Sequence, residues 1–408
     1  MVTQPYPELT WRRTANSKHF DLGKGKVRAE IYSIPVHYKD NYADSKEAWK
    51  DIDTTWRNGR IDSAPYTAWI EGLTLHYTDK QTGESGTISL EKIGNKNKQA
   101  AQFDFQGRKV LIKDFDTDLD LCIEAHPSGV RFGIIAKTDK APRDLQYDVK
   151  GNLRIRNRAE DADGNPLALT VSVKDGKLTE SVASLEVEAI TGGKKAAKFP
   201  LRIDPTTTIQ PSSKDTYISK NAATTNYGTQ YYLAINPSET TTWRSLLEQD
   251  ATGLPGGITI SVATLYLYYF STSATLAGTT LRVLKLRRAD WVEAQATWNI
   301  YKTGSSWGTV GALNTTTDID TSITADATVP AGYGWMTWNV LAHVQDAYAN
   351  VAKIVELLLY STEGDVGKDW YAYSNDYTDD PSLCPKLVVD FIAPASFGIQ
   401  RCVMMMSR

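Results

Sequence analysis

Short runs of alternating apolar and polar residues, separated by turn residues, constrain this chain most. Residues 73–77 (LTLHY) alternate in this way before the polar segment Asp79–Gly83, and the alternation returns in residues 145–157 and 167–190. Successive side chains of a strand point to opposite faces, so a period of two predicts half-buried strands. Strands joined by tight Gly, Asn and Asp turns favour antiparallel pairing over β-α-β units. We therefore predict an all-β protein built of antiparallel β-sandwich domains.

The pattern divides the 408 residues into four predicted parts. Residues 1–70 are irregular and contain scattered tryptophans, which predicts a segment that anchors the protein to a partner. Residues 71–205 are predicted to form an antiparallel β domain that ends near a proline. Residues 206–392 have the strongest strand pattern and the size of one β-sandwich or jelly roll. Residues 393–408 contain three consecutive methionines and are predicted to be a tail, either loose or docked on a neighbouring subunit.

Charge and composition exclude several classes of protein. The formal net charge of −3 argues against a general nucleic-acid binder, which needs an excess of Lys and Arg. The longest apolar runs are far shorter than the roughly 20 residues of a membrane helix, so no membrane association is predicted. The three cysteines are far apart and form no CxxC motif, which argues against a zinc site or a disulfide framework. The first residues lack the apolar core of a signal peptide, which predicts synthesis in the cytoplasm without export by that route.

Tryptophan and tyrosine are abundant, at 11 and 21 residues against 9 phenylalanines. These aromatics suit strands and also surfaces that bind sugars or protein partners. In ADWVEAQATWNI, Trp291 and Trp298 are predicted to pack in the core. Four others stand in the loop-like contexts GSSWGTVG and GKDWYAYSND, and we predict for them an exposed platform for sugar rings, with burial as the alternative. They are Trp307, Trp370, Tyr371 and Tyr373.

Carboxylates gather after the predicted strand Val355–Tyr360. Clustered carboxylates in a loop suit Ca²⁺, a hard cation that prefers oxygen ligands. Their spacing fits no known calcium loop, and a solvated acidic face is the alternative; no other cofactor is predicted. The candidate ligands are Asp365, Asp369, Asp376, Asp379 and Asp380.

Motifs for catalysis are absent from the sequence. The five histidines form neither HExxH nor HxH, and there is no GxSxG, P-loop or GxGxxG. Glycosidases need two carboxylates on either side of the scissile bond, and the sequence does not pair any. We therefore predict a protein that is not an enzyme.

The polar loop from Asn221 to Thr229 lies between two short strand patterns and is longer than the turn of a tight hairpin. Its Asn and Gly residues tolerate positive φ. We predict that the loop plugs the end of a sandwich, with display of a ligand-binding loop as the alternative.

Several segments of the second half carry a family resemblance. They are DTYISKNAATTNYGTQYYLAI, RSLLEQDATGLPGGITISVATLYLYYF, LRVLKLRRADWVEAQATWNIYKTGSSWGTVG, WMTWNVLAHVQDAY and PKLVVDF. From Asp215 to Phe391 the chain resembles the DNRLRE family, also called the disaggregatase-related repeat. Glu248-Gln249-Asp250 departs from the Phe-Asp usual in that family. The resemblance implies a jelly-roll β-sandwich that often serves as a carbohydrate-binding module or as a stalk of surface proteins.

The first half resembles, more loosely, the segment that precedes such domains in bacterial wall-associated and YD-repeat proteins. The residues that carry this resemblance are IPVHYKDN, DTDLDLCIEAHPSGVRFGIIAKTDKAP and FPLRIDPTTTI. The signal peptide and long repeats that accompany it in those proteins do not appear here. A freestanding copy without a leader resembles a phage virion component.

These resemblances lead to a prediction of function. The chain is predicted to be a structural protein on the virion surface: a capsid decoration, head fibre or tail-tip component. Its expected partners are other virion proteins, cell-surface glycan and further copies of itself in a homo-oligomer. Two alternatives stay open, a bacterial surface carbohydrate-binding protein or adhesin and a polysaccharide-degrading enzyme.

Overall fold

A computed structural model describes residues 6–94, 96–97, 103–162, 167–188, 194–208, 213–270, 277–350, 352–361, 369–377 and 379–394. Within these ranges the secondary structure is almost entirely β, with one α-helix, α1 (Leu341–Ala349), and two 3-10 helices, Thr10–Arg12 and Pro381–Leu383. The predicted all-β fold is confirmed. No helix in these ranges is long and apolar enough to cross a lipid bilayer.

The strands of the first half are β1 (Ser17–Gly23), β2 (Lys26–Tyr32), β3 (His37–Tyr38), β4 (Lys50–Asp51), β5 (Arg60–Ile61), β6 (Tyr66–Glu71), β7 (Thr74–Asp79), β8 (Ser85–Ile93), β9 (Lys96–Asn97), β10 (Asp104–Gln106), β11 (Lys109–Asp116), β12 (Leu119–His126), β13 (Gly129–Ala136), β14 (Asp144–Gly151), β15 (Ile155–Glu160), β16 (Thr170–Lys174), β17 (Lys177–Ser181), β18 (Glu186–Glu188), β19 (Lys194–Ala196) and β20 (Leu201–Thr208). Those of the second half are β21 (Asp215–Ser219), β22 (Tyr232–Ile235), β23 (Trp243–Asp250), β24 (Thr259–Phe270), β25 (Thr280–Leu286), β26 (Ile300–Lys302), β27 (Ser305–Ser306), β28 (Ile319–Thr328), β29 (Gly334–Asn339), β30 (Ile354–Ser361), β31 (Trp370–Tyr373) and β32 (Lys386–Ile392).

The chain folds into two compact units. One comprises the described residues of Met1–Ile34 and Ser212–Arg408, and the other those of Pro35–Pro211. The first is called the sandwich unit below. Its two antiparallel sheets are the front sheet, in the order β1-β2-β32-β24-β31-β22 with β29 also paired to β24, and the back sheet, in the order β21-β23-β30-β25-β28.

Apolar side chains of both sheets fill the space between them, as in a jelly-roll-like sandwich. Leu265 and Leu267 of β24 share one buried cluster with Leu247 of β23 and Leu357 of β30. Trp338 lies in the same cluster, and its indole Nε1 donates to the carbonyl oxygen of Leu281 at 3.1 Å. The cluster therefore joins the two sheets into one domain core.

The N-terminal hairpin completes the front sheet. Strand β2 pairs with β32 along its whole length, from Lys26 opposite Ile392 to Tyr32 opposite Lys386. The Arg28 guanidinium donates to both carboxylate oxygens of Asp390, at 2.7 and 2.8 Å. The hairpin thus covers an edge that β32 would otherwise present to solvent.

The outer face of the back sheet is also covered, by residues 287–318, which we call the covering segment. Its large aromatics are buried against the leucines of that face. The aromatics are Trp291, Trp298, Tyr301 and Trp307, and the apolar residues of the back sheet are Ile218, Leu246, Leu284, Leu286 and Leu358. The prediction that Trp291 and Trp298 pack in the core is confirmed.

The loop from Asn221 to Thr229 packs against the covering segment. The Asn226 side-chain amide donates to the carbonyl oxygens of Glu293 and Ala296, each at 2.7 Å. Tyr227 is buried and stacks on Tyr217 with ring centroids 4.1 Å apart. A Cβ on Gly228 would overlap the Glu293 carbonyl. The loop is therefore packed against the covering segment, and its role as a plug at the end of the sandwich stays a prediction.

The second unit is also a pair of antiparallel sheets around one core. The sheets have the orders β10-β11-β12-β13-β20-β15 and β16-β17-β14-β8-β7-β6-β5, with β9 paired to β8. Apolar side chains of both, including Phe132 and Tyr147, form one cluster. The Tyr66 hydroxyl donates to the carbonyl oxygen of His126 at 2.7 Å, which ties one sheet to the other.

Two predicted boundaries differ from the structure. The predicted anchoring segment 1–70 is not one piece, because residues before Pro35 build the front sheet while residues 35–70 contribute strands to the second unit. The predicted boundary near Pro205 lies inside β20, where Pro205 stands opposite Asn157 of β15. A proline within a strand usually marks an edge or an interruption, which is why it misled the prediction. The methionine tail lies outside the described residues.

Candidate functional site

The outer face of the front sheet carries an unusual density of aromatic side chains. Along β24, Leu265 and Leu267 point into the sandwich core, whereas the alternating Tyr266, Tyr268 and Phe270 point away from it and are partly exposed. Neighbouring strands and loops add rings on the same side. We call the set the aromatic strip: Tyr231, Tyr266, Tyr268, Phe270, Trp335, Tyr373 and Tyr377.

Part of the strip is a stack of rings. Tyr373 lies between Tyr377, with centroids 3.6 Å apart and planes 10° apart, and Phe270, at 4.3 Å and 22°. Tyr268 is stacked on Tyr373 at 5.7 Å and 20°. Tyr377 and Tyr373 stack face to face, whereas Tyr268 lies within the distance of roughly 4.5–7 Å that is preferred for offset stacks. The rings therefore cover one another's faces and hold each other in place.

Trp335 on β29 is placed differently. It packs at right angles to Tyr266 and Tyr268, with centroids 6.1 and 5.4 Å away. Its side chain is 37% exposed, and the Lys386 ammonium lies 4.8 Å from the ring centroid. Trp335 is thus an accessible ring at one end of the strip, next to a positive charge.

The hydroxyl groups of the strip differ in whether they form hydrogen bonds within the described residues. Burial, together with a hydrogen bond to Tyr373, raises the pKa of Tyr377. Within the described ranges, the hydroxyls of Tyr266 and Tyr268 form no hydrogen bond to the protein. Each such hydroxyl can donate one hydrogen bond and accept others. The strip therefore offers both ring surface and polar groups to a ligand.

Three of the four predicted platform residues are buried, so the expectation of an exposed platform is corrected for them. Trp307 belongs to the covering segment, and its Nε1 donates to the Thr297 carbonyl at 2.9 Å. Trp370 is fully buried in the sandwich core. Tyr371 points to the strip side but is covered by neighbouring rings such as Tyr232, 5.3 Å away. Tyr373 alone lies in the aromatic strip.

The predicted calcium ligands do not form a metal site in the described ranges, where no group of three or more His, Cys, Asp or Glu side chains can hold a metal ion. Buried Asp369 accepts a hydrogen bond from the Asn236 amide at 2.6 Å. Asp380 caps the second 3-10 helix by accepting from the Ser382 backbone at 3.0 Å. Asp376 is half-buried, Asp379 is exposed, and Asp365 lies outside the described residues.

The sequence analysis did not predict the other strip residues as sugar-binding candidates. Tyr266, Tyr268 and Phe270 were seen only as part of a strand, LYLYYF, and Trp335 as part of another. The usable signal was the alternation itself. Leucine at every second position marks the core side, so the tyrosines between them must lie on the other face of the sheet.

A buried carboxyl pair lies under the covering segment. Glu248 and Glu356 stand opposite each other on β23 and β30, and their side chains share a hydrogen bond. The Trp291 Nε1 donates to Glu356 at 2.8 Å, and the Lys214 ammonium lies 2.8 Å from Glu248. Burial and the neighbouring Glu248 raise the pKa of Glu356 to about 9. Glycosidase carboxylates stand about 5–9.5 Å apart, so this hydrogen-bonded pair lacks that geometry.

A pocket of about 290 Å³ lies between β25, α1 and β30. Its charged groups are already paired: Lys285 with Asp346 at 2.6 Å, and Arg287 with Asp320 at 2.9 Å. Burial lowers the pKa of its His343 to about 4, so that imidazole is neutral near pH 7. The pocket is at the lower end of the range of roughly 300–1,000 Å³ typical of ligand sites, and it does not compete with the strip as a candidate.

A comparison with known protein families gives a match to the second half of the chain. Residues 205–389 match carbohydrate-binding module family 96. The matched segment contains every residue of the aromatic strip and ends inside β32, so the hairpin β1–β2 lies outside it. The comparison names this family and not the DNRLRE family. No curated protein matches the chain.

Proposed function

We propose that the sandwich unit binds carbohydrate through the aromatic strip and that it catalyses no reaction. One observation carries the proposal: the front sheet exposes a row of aromatic rings, and the whole row falls within the segment that matches a carbohydrate-binding module family. Tyrosine and tryptophan combine apolar ring surface with polar groups, which suits a ligand that has both C–H faces and hydroxyls.

The arrangement also accounts for why these rings stay on the surface. Exposed aromatic patches of this kind mark interaction sites in soluble proteins. The rings are fixed by mutual stacking, so little side-chain entropy is lost when a ligand is bound. A preorganised, rigid patch is what a binding module needs, whereas a general acid and a second carboxylate, which a hydrolase needs, are not part of the strip.

The proposal is tested by affinity electrophoresis of the purified chain in gels that contain xylan, mixed-linkage β-glucan, galactomannan, polygalacturonate or a bacterial capsular polysaccharide. We expect retardation in at least one gel. Trp335→Ala should weaken it about tenfold or more, as expected for a central aromatic contact. The matched control is Trp11→Ala, because Trp11 is 50% exposed and is not part of the strip. Equal mobility in all gels, or an equal loss in both variants, would contradict the proposal.

The place of the protein on a phage particle stays a prediction. A role as capsid decoration, head fibre or tail-tip component rests on resemblance, and a glycan-binding strip would suit a particle that meets cell-surface polysaccharide. Light scattering on the purified chain gives the relevant measurement. A closed homo-oligomer favours the virion role, whereas a monomer favours the alternative of a bacterial surface carbohydrate-binding protein or adhesin.

A further inference from the structure

Tyr373, in the middle of the stacked rings, cannot be where a sugar ring stacks. Tyr373 is contacted by Tyr377 at 3.6 Å on one side and by Phe270 at 4.3 Å on the other. Non-bonded carbon atoms are in contact at about 3.5–4.0 Å, so a sugar ring cannot enter between these planes. The stack therefore presents ring edges and hydroxyl groups to solvent, and its faces serve to hold the stack together.

Trp335 differs from the stacked rings in both its contacts and its exposure. Its contacts with Tyr266 and Tyr268 are at 79° and 85°, so no strip ring stacks on it. It is more exposed than any of the other strip rings, at 37%. The indole face that is turned away from the Lys386 ammonium is then a large aromatic surface on which the C–H face of a sugar can lie. The two ends of the strip offer different chemistry.

These ends are separated across the sheet. Trp335 lies on β29 and Tyr373 on β31, and both strands pair with β24, on opposite sides of it. Neighbouring strands are about 4.8 Å apart, so the strip runs across three strands for about 10 Å and continues to Tyr377 in the loop beyond. One sugar ring cannot cover both the indole face and the row of hydroxyls.

We infer that the strip takes an internal stretch of an extended glycan chain that lies across the strands. One sugar stacks on Trp335, and following sugars form hydrogen bonds with the hydroxyls of Tyr373 and Tyr377, at the far end of the strip. This inference rests on the proposed function and deepens it, because it names a chain of several sugars as the ligand and assigns specificity to hydroxyl groups. A site for a single terminal sugar would instead need a closed pocket, and among the described residues the strip is a row of partly exposed rings on a sheet face.

The test uses competition with fragments of the polysaccharide that retards the chain in the affinity gels. Its monosaccharide, disaccharide and tetrasaccharide are added at equal sugar concentration. A fragment that binds the chain restores the mobility that the chain has in a gel without polysaccharide. We expect the tetrasaccharide to compete at least about tenfold better than the monosaccharide, because only the longer fragment reaches both Trp335 and the tyrosine hydroxyls. Equal competition by the monosaccharide would overturn the inference while leaving the proposed function in place.

Variants that remove only a hydroxyl group test the second half of the inference without affecting the fold. Tyr373→Phe and Tyr377→Phe should each weaken binding of the tetrasaccharide about three- to tenfold, and binding of the monosaccharide much less. Tyr333→Phe is the matched control, because Tyr333 is 60% exposed and not part of the strip. If Tyr373→Phe and Tyr377→Phe both bind the tetrasaccharide as the unmodified chain does, the assigned role of the hydroxyls is wrong. Absence of retardation in every gel would instead remove the proposed function and the inference together.

Discussion

The two outer faces of the sandwich unit are both rich in aromatic residues, yet only one is open. On the back sheet, the covering segment places Trp291, Trp298 and Trp307 against leucines, and all three indoles are buried. On the front sheet, no comparable segment lies over Trp335 and Tyr268 within the described ranges. The difference teaches that aromatic residues can mark either a packing surface or a binding surface. Which of the two they mark depends on whether the strands of the sheet carry apolar residues on one face or on both.

The strands themselves show this difference. In β30, Leu357, Leu358 and Leu359 follow one another, and in β23 Leu246 precedes Leu247. Consecutive leucines put apolar groups on both faces, so both faces of the back sheet must be covered. In β24, leucine alternates with tyrosine instead, and tyrosine tolerates water on its hydroxyl side. One sheet requires a cover and the other does not.

The largest expected effect comes from truncating the covered face. Trp307→Ala removes a buried indole and leaves a cavity under the covering segment, and we expect it to lower the free energy of unfolding by about 3–5 kcal/mol. Urea denaturation followed by circular dichroism measures this. A loss below about 1 kcal/mol would show that the covering segment is held loosely and that the two faces differ less than the structure implies.

A carboxyl group on the covered face, that of Glu356, should also make the stability of the chain depend on pH. The pKa of Glu356 is raised from its ordinary 4.5 to about 9, so the folded chain keeps a proton that the unfolded chain gives up. The contribution of Glu356 to the free energy of unfolding is fully present below about pH 4.5 and declines as the pH rises toward 9. Between pH 7 and 9, above the range in which His343 titrates, we expect a loss on the order of 2 kcal/mol.

Glu356→Gln tests this dependence, because the amide stays neutral and can still donate to Glu248 and accept from Trp291. The variant should be the more stable protein at pH 9, and its free energy of unfolding should vary less between pH 7 and 9. Glu239→Gln is the matched control, since Glu239 is exposed. Parallel pH profiles for the unmodified chain and Glu356→Gln would show that the pair is ionised in the folded state.

Much of the fold follows from the sequence, and the limits have physical causes. Strands are predicted at residues 73–77 and at Val355–Tyr360, and the structure has β7 (Thr74–Asp79) and β30 (Ile354–Ser361) there. That β2 pairs with β32 could not be predicted, because pairing between distant strands leaves no local pattern. Trp307 was misplaced for a related reason. Its surroundings, GSSWGTVG, are a loop as predicted, but the loop packs on leucines far along the chain.

The smallest expected effect on stability is on the open face. Trp335→Ala removes a ring that is already 37% exposed and packs only edgewise on Tyr266 and Tyr268. Surface substitutions of this kind usually change the free energy of unfolding by about 0.5 kcal/mol, and the lost ring contacts raise this to about 1 kcal/mol at most. Urea denaturation of Trp335→Ala beside Trp307→Ala gives the comparison directly. If both substitutions lower the free energy of unfolding by the same amount, Trp335 belongs to a packed layer. The front sheet is then covered in solution by a part of the chain outside the described residues or by another molecule.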